Sequence, residues 1–147
     1  FSENELRDLR TAALLHDIGK IGTYDVILDK PLKLTPEEYC LINQHPVKGE
    51  EILKPIKQLV HLLPVIRHHH ERFDGRGYPD GIKGNDIPMM ARIICVADSF
   101  DSMTSDRPYR NAAIKEYAIY ELKRCAGTQF DPEVVQAFLR VIERGEI

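Results

Sequence analysis

Residues 5–22 read ELRDLRTAALLHDIGKIG, and this stretch decides how the sequence is interpreted. It combines the pattern of a helix with a histidine–aspartate pair at the carboxyl end of that helix. Apolar residues recur at helical spacing from Leu6 to Leu15, and Gly19 then provides a typical stop signal. His16 and Asp17 follow the apolar run directly. The stretch therefore predicts an amphipathic helix over residues 5–16, with an imidazole and a carboxylate at its carboxyl end.

Helical signals recur along the rest of the chain. Thr35-Pro36-Glu37-Glu38 has the form of a capping box, with a hydroxyl cap, proline at the first helical position and glutamate at the third. No segment shows sustained alternation of apolar and polar residues, so the predicted fold is all-α, with residues 1–147 forming one domain. Further helices are predicted over Pro64–Glu71, from Pro88 onward, over Ile114–Cys125 and from Asp131-Pro132 onward.

One long segment departs from the helical pattern. Phe73 to Asp86 contains glycines at positions 75, 77, 81 and 84 and a proline at position 79. We expect a loop of about a dozen residues here, a length that in compact domains is associated with function or with disorder.

Composition narrows the class of protein. The chain has 147 residues, 43% of them hydrophobic and 29% charged, which is ordinary for a globular domain with a hydrophobic core. The formal net charge of −3 argues against a broad binding surface for long nucleic acids, although local basic groups can bind a small anion. No apolar stretch approaches the roughly 18 residues of a membrane span, and no signal peptide is visible. A cytoplasmic location is expected, within a parent protein that can itself be membrane-anchored.

The three cysteines carry no metal-binding or disulfide pattern. Cys40, Cys95 and Cys125 lie far apart in the sequence. An odd number without ligand spacing predicts buried thiols in a reducing compartment, not a disulfide framework.

Four segments offer side chains that can ligate a metal. Neighbouring residues on a helix point about 100° apart, so an adjacent pair can reach the same metal only over a helix end. Imidazole nitrogens together with carboxylate oxygens suit Fe, Mn, Ni or Zn in an open, hydrolytic site. Asp98 lies in an otherwise apolar helix, where an ionised carboxylate is costly unless it is paired or metal-bound, and Asp101 shares its face one turn later. The four segments are His16-Asp17, His45, His69-His70 and Asp98.

Each of these segments also has a structural interpretation. The His16-Asp17 pair is compatible with a helix cap, His45 before Pro46 with a helix end, and residues 68–70 with a solvated turn. His61 lies among apolar residues and is expected to be a half-buried histidine with satisfied hydrogen bonds. Taken one at a time, the segments leave both interpretations open, whereas their combination favours a metal site.

In its order and spacing, the set resembles the HD-GYP subgroup of the HD phosphohydrolase superfamily. The resemblance covers nearly the whole chain. A histidine–aspartate pair alone is a weak signal, but the ordered set is highly specific. In chain order the motifs are LHDIGKIG at residues 15–22, Lys30-Pro31 with Lys33-Leu34-Thr35, His45-Pro46 with Gly49, His69-His70-Glu71 with Gly75 and Gly77-Tyr78-Pro79, ADSFDSMTSDRPYR at residues 97–110, and GTQFDP at residues 127–132.

The resemblance implies an HD-domain helical bundle with a long GYP loop and a centre of two or three divalent metal ions, most often Fe or Mn. It implies a bacterial phosphodiesterase of second-messenger signalling that hydrolyses cyclic di-GMP to linear pGpG, to GMP or to both. Lys20 would lie beside the scissile phosphate as a catalytic residue, Tyr78 would border the substrate, and Arg107 and Arg110 would contact its phosphates or bases. The implied metal ligands are His16, Asp17, His45, His69, His70 and Asp98, with Asp17 also catalytic as the carboxylate that bridges two metals.

The chemistry of phosphodiester cleavage is consistent with these residue types. Two metals about 3.5–4 Å apart can stabilise charge on both the phosphoryl and leaving oxygens and provide hydroxide near neutral pH, so no serine or cysteine nucleophile is required. Lys20 adds a compact positive charge, and an arginine offers a planar fork for two oxygens. Outside this motif, Arg107 and Arg110 would be interpreted as a solvated surface pair, and Tyr78 as a plug for the core.

Members of the subgroup carry a further helix upstream of the histidine–aspartate helix, with a histidine that completes the shell of one metal. No histidine precedes His16 in this sequence. The expectation is therefore an N-terminally truncated catalytic domain whose first metal site lacks one protein ligand and which can be inactive as a separate piece. The implied partners are cyclic di-GMP, an upstream sensor or receiver domain, diguanylate cyclase domains and a second copy in a homodimer.

Two other functions fit parts of the sequence. A binding module would use the loop and the arginines to sense a cyclic dinucleotide, or to dock a partner, without turnover. Another HD phosphohydrolase would act on a different nucleotide. The complete set of ligand positions argues against the first, and Gly77-Tyr78-Pro79 argues against the second.

Overall fold

Residues 1–21, 35–105 and 113–147 are described by a computed structural model, and within them the chain is helical. No β-strand occurs in these ranges, and the all-α prediction is confirmed. Short 3₁₀ helices lie at Ile18–Lys20, Lys57–Leu62 and Gly84–Asp86. The α-helices of the described ranges are α1 (Glu3–Leu15), α2 (Pro36–Ile42), α3 (His45–Leu53), α4 (Leu63–His68), α5 (Met89–Thr104), α6 (Lys115–Arg124) and α7 (Pro132–Glu143).

Three helices begin at side chains that satisfy free backbone N–H groups. Ser2 and Thr35 each form a capping box: the hydroxyl accepts from the third helical residue, and the glutamate at that position accepts from the N–H of the cap. At the start of α7, the Asp131 carboxylate accepts from the N–H groups of the second and third helical residues. The capping box predicted at Thr35 and the helix start predicted at Asp131 are therefore confirmed.

Two details of the helix prediction were wrong. The helix predicted over Pro64–Glu71 ends at His68, because the ring of His69 takes the carbonyl oxygen of Ile66, which the N–H of residue 70 would use in a longer helix. Helix α3 was not predicted at all. Its local signal is Pro46 in the first turn, a position where proline favours a helix start, so His45 begins a helix instead of ending one.

Two apolar clusters form the core, and α5 contributes to both. Each buried valine, leucine, isoleucine or phenylalanine side chain in them stabilises the fold by about 1.5–3 kcal/mol. The first cluster, from α1, α3, α4, α5 and the residues next to them, contains Ala12, Leu53, Leu63, Val65, Ile66, Ile87, Ala91 and Ile94. The second, around α5, α6 and α7, contains Val96, Leu122, Phe130, Val134 and Val135.

A buried ion pair ties the start of α7 to α5. Arg92 Nη1 lies 2.6 Å from Asp131 Oδ2, and the two side chains are 10% and 4% exposed. Because Asp131 also caps α7, this contact sets the position of that helix along α5. Removing one partner would leave an uncompensated buried charge, which is strongly destabilising.

The turn after α1 packs directly on α3. A Cβ atom added at Gly19 would lie 2.0 Å from the carbonyl oxygen of His45 and 2.6 Å from the backbone nitrogen of Gly49. No side chain larger than hydrogen fits at this contact. The close approach places Asp17, two residues before Gly19, beside the first residue of α3.

The long loop predicted over Phe73–Asp86 is confirmed as non-helical up to the short 3₁₀ helix at its end. Its start pairs with the segment before α7: the N–H of Phe73 donates to the Gln129 carbonyl, and the N–H of Asp74 to the Thr128 carbonyl. Gly77 is pressed against the chain that follows α4, since a Cβ there would lie 2.3 Å from the backbone nitrogen of Arg72. The loop therefore folds back over the residues that carry the paired histidines.

The cysteines are free, but the prediction that all three are buried was wrong. Cys40 is exposed because α2 buries none of its residues. Cys95 and Cys125 are half-buried. Burial raises the pKa of Cys95 to about 12, so this thiol stays protonated at neutral pH. Among the helices of the described ranges, none combines the length and apolarity needed to cross a membrane.

Candidate metal centre

Side chains from distant parts of the sequence converge on one small volume. Nε2 of His16, the residue after α1, lies 3.4 Å from Asp17 Oδ2 and 3.9 Å from Asp98 Oδ1. Ligand atoms that all lie within 4.8 Å of one another come from Asp17, His45, His69 and His70. The structure thus brings together all six side chains that the sequence singled out as ligands.

Three of the histidines are held in the same tautomer by the backbone. Nδ1 of His16, His45 and His69 lies 2.7, 2.7 and 2.6 Å from the carbonyl oxygen three residues earlier in the chain. A carbonyl can only accept, so Nδ1 donates the hydrogen bond, and in the neutral ring Nε2 carries the lone pair. Each ring therefore turns its Nε2 towards the shared volume, and hydrogen bonds of this kind orient histidines that bind metals.

The Nε2 atoms of His45 and His69 face each other. Their Nε2 atoms are 3.1 Å apart, and both residues are 1% exposed. Burial and the neighbouring His70 lower the pKa of His69 to about 2, and burial and His45 lower the pKa of His70 to about 3. His69 and His70 are therefore unprotonated at neutral pH, and each ring offers a lone pair. Closely packed imidazole nitrogens beside a carboxylate form a donor set that fits a divalent metal ion.

The carboxylate of Asp17 is shared between two sides of the cluster. Oδ1 is buried, lies 3.2 Å from His45 Nε2 and makes no hydrogen bond. Oδ2 accepts from Lys20 Nζ at 2.6 Å and faces His16. Burial raises the pKa of Asp17, but the contacts with His45 and Lys20 outweigh it and hold that pKa well below its usual range. Asp17 is therefore ionised, with each oxygen next to a different imidazole.

Asp98 approaches the cluster from α5 and is less buried than its apolar helix predicts. Its side chain is 31% exposed, because α5 turns its apolar residues into the two core clusters and leaves Asp98 facing a groove. The groove has a volume of about 410 Å³ and runs between α1 and α5, with His16, Asp98 and Asp101 among its lining residues. The remaining lining residues are apolar, so a mainly apolar channel leads to the cluster.

Tyr78 lies over the cluster from the side of the long loop. Its ring stacks on His70, with 5.0 Å between the ring centroids and 28° between the planes. The ring is half-buried and does not plug either apolar cluster. Burial, followed by the neighbouring Tyr39, raises the pKa of Tyr78, so its hydroxyl stays protonated.

Some predicted residues lie elsewhere. Arg107 and Arg110 are outside the described residues, so their contacts with a substrate stay predictions. His61 is more exposed than expected, at 55%, and its Nε2 lies 3.1 Å from Asp8 Oδ1, away from the ligand cluster.

The sequence interpretation missed a second polar network beside the first. His68, Glu71 and Asp80 also bring potential ligand atoms within 4.8 Å of one another. Both oxygens of Asp80, however, accept from the guanidinium of Arg67, at 2.7 and 2.9 Å. A cation bound there would have to approach the arginine, so we interpret this group as an ion-pair network. The only sequence signal was Glu71, directly after the paired histidines.

Comparison with known proteins agrees with this geometry. The sequence profile of the HD domain family matches residues 1–134. This chain belongs to the HD domain family. The resemblance to the HD-GYP subgroup is likewise confirmed, and the family is metal-dependent.

The relatives are longer proteins. A cyclic di-GMP phosphodiesterase of Thermotoga maritima is 47% identical over 144 residues, which are 95% of this chain and 39% of that protein. A 3′3′-cGAMP-specific phosphodiesterase of Vibrio cholerae is 41% identical over 134 residues, 91% of this chain and 29% of that protein. A solved HDG"Y"P protein of Bdellovibrio bacteriovorus shares the fold, with a TM-score of 0.76 at 20% identity over 97% of this chain and 45% of that one. The HD domain described here thus spans less than half the length of each.

Proposed function

We propose that this HD domain is the catalytic domain of a longer protein and hydrolyses cyclic di-GMP to linear pGpG, to GMP or to both. The observation that carries the proposal is the meeting of backbone-oriented imidazoles with the ionised carboxylate of Asp17, in a fold whose 47% identical relative is named a cyclic di-GMP phosphodiesterase. No nucleophilic side chain is needed, and the thiol of Cys95 stays protonated.

We assign the metal ligands to the six clustered residues. Nitrogen and carboxylate donors suit Fe, Mn, Ni or Zn, and the resemblance to the HD-GYP subgroup favours Fe or Mn among them. The two differently facing oxygens of Asp17 support at least two ions, with a third as the upper number. Bound divalent ions would supply Lewis-acid polarisation of the phosphodiester and activation of the attacking water. The ligands are His16, Asp17, His45, His69, His70 and Asp98.

On the substrate side, Lys20 and Tyr78 have separate tasks in this proposal. The side chain of Lys20 is 30% exposed at the edge of the cluster, where its ammonium can bind a phosphate oxygen while it holds Asp17 in place. The exposed part of the Tyr78 ring offers a flat surface for the substrate beside His70. Arg107 and Arg110 complete the predicted set of phosphate or base contacts.

The groove between α1 and α5 supports a contribution from the rest of the parent protein. His16 Nε2 is buried without a hydrogen-bond partner, and it lies where the mainly apolar channel reaches the cluster. A segment of the parent protein that carries one further ligand would reach His16 through this groove. We further propose a cytoplasmic bacterial signalling protein in which an upstream sensor or receiver domain controls the HD domain, with diguanylate cyclase domains and a second copy as candidate partners.

Turnover by the full-length parent protein tests the proposal. The protein, loaded with Mn or Fe, is incubated with cyclic di-GMP, and products are separated by chromatography. His45→Ala should abolish turnover and lower the metal content, whereas His61→Ala, a histidine outside the cluster, should preserve both. If the folded, metal-loaded wild type does not hydrolyse cyclic di-GMP, the proposal is wrong.

A second substrate is favoured by one comparison. The 41% identical relative from Vibrio cholerae is named for 3′3′-cGAMP, so the same incubations should include that dinucleotide. Faster hydrolysis of 3′3′-cGAMP would assign this HD domain to that substrate. Binding of cyclic di-GMP that survives His69→Ala, with no turnover by either form, would instead establish a binding module.

A further inference from the structure

Two carboxylates hold the tip of the long loop, and neither belongs to the ligand cluster. Glu71 is 2% exposed, and its Oε1 accepts from the backbone N–H groups of Asp80 and Gly81 at 2.7 and 3.0 Å. A carboxylate that accepts two backbone donors makes charge-assisted hydrogen bonds, which are stronger than neutral ones. The backbone of the loop is therefore fastened at residues 80 and 81 to the residue that follows His70.

The side chain of Asp80 fastens the same loop to the helices. Its carboxylate accepts hydrogen bonds from both Nε and Nη2 of Arg67. Its Oδ2 also lies 2.9 Å from His68 Nε2. Arg67 donates its remaining Nη1 to Glu50 Oε2 at 2.7 Å. One guanidinium thus joins the loop to α4, on which Arg67 lies, and to α3, on which Glu50 lies.

These contacts surround the segment that carries Tyr78. On the amino side of Tyr78, Gly77 touches the backbone of Glu71 and Arg72, where no Cβ would fit. The N–H of Tyr78 donates to the carbonyl of His70 at 3.3 Å, a long bond that does not hold the loop alone. The two carboxylates supply the stronger attachments, immediately after the Tyr78–Pro79 pair.

We propose that Glu71 and Asp80 are positioning residues that, with Arg67, hold residues 77–81 so that the Tyr78 ring stays against His70 and forms one wall of the substrate site. The inference rests on the proposed function for the role of that wall. The attachment itself can be measured without any substrate. Asp80 is an exposed residue, so its substitution tests the idea with little risk to folding.

Hydrogen exchange of the full-length protein tests the attachment. In Asp80→Asn the charged fork to Arg67 is lost, and the peptide covering residues 77–83 should exchange at least about tenfold faster, while peptides from α5 should be unchanged. Asp86→Asn removes a carboxylate from the same loop at an exposed position and should leave exchange unaltered. Unchanged exchange in Asp80→Asn would overturn the proposal, whether or not the protein hydrolyses a dinucleotide.

Steady-state kinetics tests the consequence. We expect Asp80→Asn to raise the KM for cyclic di-GMP by about tenfold with kcat within about threefold, and with unchanged metal content, because contacting groups typically couple by this order of magnitude. If Asp80 acts through Tyr78, adding Asp80→Asn to Tyr78→Ala should change KM no further. Effects that multiply in the double variant, or a loss of bound metal in Asp80→Asn alone, would indicate a general structural role and overturn the positioning role.

Two substitutions, one conservative and one that removes the acceptor, test the role of Glu71. Glu71→Gln keeps a carbonyl oxygen that can accept from the N–H groups of residues 80 and 81, so loop exchange and KM should stay within about threefold of wild type. Glu71→Ala should show the faster exchange and higher KM of Asp80→Asn. Equal behaviour of Glu71→Gln and Glu71→Ala, with both proteins folded, would contradict the assigned role.

Discussion

Gly19→Ala should disturb the metal centre much more than it disturbs the rest of the fold. The added Cβ would lie 2.0 Å from the carbonyl oxygen of His45, whereas ordinary contacts begin near 3.4 Å. The neighbour is backbone at the start of α3, so it cannot move aside by a change of rotamer. The turn that follows α1 must therefore move about 1.4 Å away from α3. This movement carries Asp17 away from His45.

The free-energy cost follows from this contact. Overpacking typically destabilises a protein by about 1–3 kcal/mol, and the reduced freedom of the unfolded chain returns about 0.4–1 kcal/mol for a glycine-to-alanine change. A net loss of about 1.3 kcal/mol should lower Tm by about 3–5 °C in a chain of this size. Metal–ligand distances tolerate only about 0.2 Å, so affinity for Mn should fall by at least about tenfold.

The matched control adds the same methyl group on the other side of the contact. At Gly49 a Cβ would lie 3.1 Å from Ile66 Cγ2, the end of a side chain that can shift by a few tenths of an ångström. Calorimetry and equilibrium dialysis with Mn should therefore show Gly49→Ala close to wild type. If Gly19→Ala binds Mn as tightly as Gly49→Ala does and melts at the same temperature, the packing of the turn on α3 does not set the ligand positions.

Three further predictions concern stability and metal. Ile66→Ala, at a fully buried position, should cost about 2–5 kcal/mol by chemical denaturation, and Leu14→Ala, at an 80% exposed one, less than about 0.5 kcal/mol; similar costs would contradict the assigned core. Contacts with Arg67 and His68 lower the pKa of Asp80 to about 2, so its stabilisation is complete above about pH 4 and is lost as the pH falls towards 2. Because Asp80 is exposed, the difference in unfolding free energy between wild type and Asp80→Asn should be only about 1 kcal/mol at pH 6 and should shrink by pH 3; a constant difference would argue against the ion pair. Removal of metal by a strong chelator should lower Tm by several degrees, and added Mn should restore it, since only the folded chain assembles the ligands; an unchanged Tm despite complete metal removal would refute this.

Local signals predicted most of the helices because their causes are local. Capping by Thr35 and Asp131 depends on residues within one turn, and both starts were predicted correctly. The start of α3 was missed although Pro46 marks it locally, because a histidine before proline is equally compatible with a helix end. The packing of Gly19 against His45, a residue 26 positions away, is not visible in the local sequence. The exposure of Cys40 was mispredicted for a related reason, since the face that a helix buries depends on its neighbours.

The candidate site likewise has features that the sequence predicted and features that it did not. The order of His16, Asp17, His45, His69, His70 and Asp98 along the chain was enough to predict the family and the donor set. The tautomers of His16, His45 and His69 follow from hydrogen bonds to carbonyl groups three residues earlier, which no residue type reveals. The network of Arg67, Glu71 and Asp80 was missed because charged residues beside a loop usually face solvent.

By itself, the sequence determined the chemical identity of the site: which nitrogens and oxygens are available, and that they follow one another in the order of an HD domain. The tertiary structure decided how those atoms meet. Contacts such as Gly19 on His45 and Asp80 on Arg67 join residues far apart in the chain, and their distances depend on how whole helices pack. A metal site needs its ligands placed to within a fraction of an ångström, and only the packed core provides that accuracy.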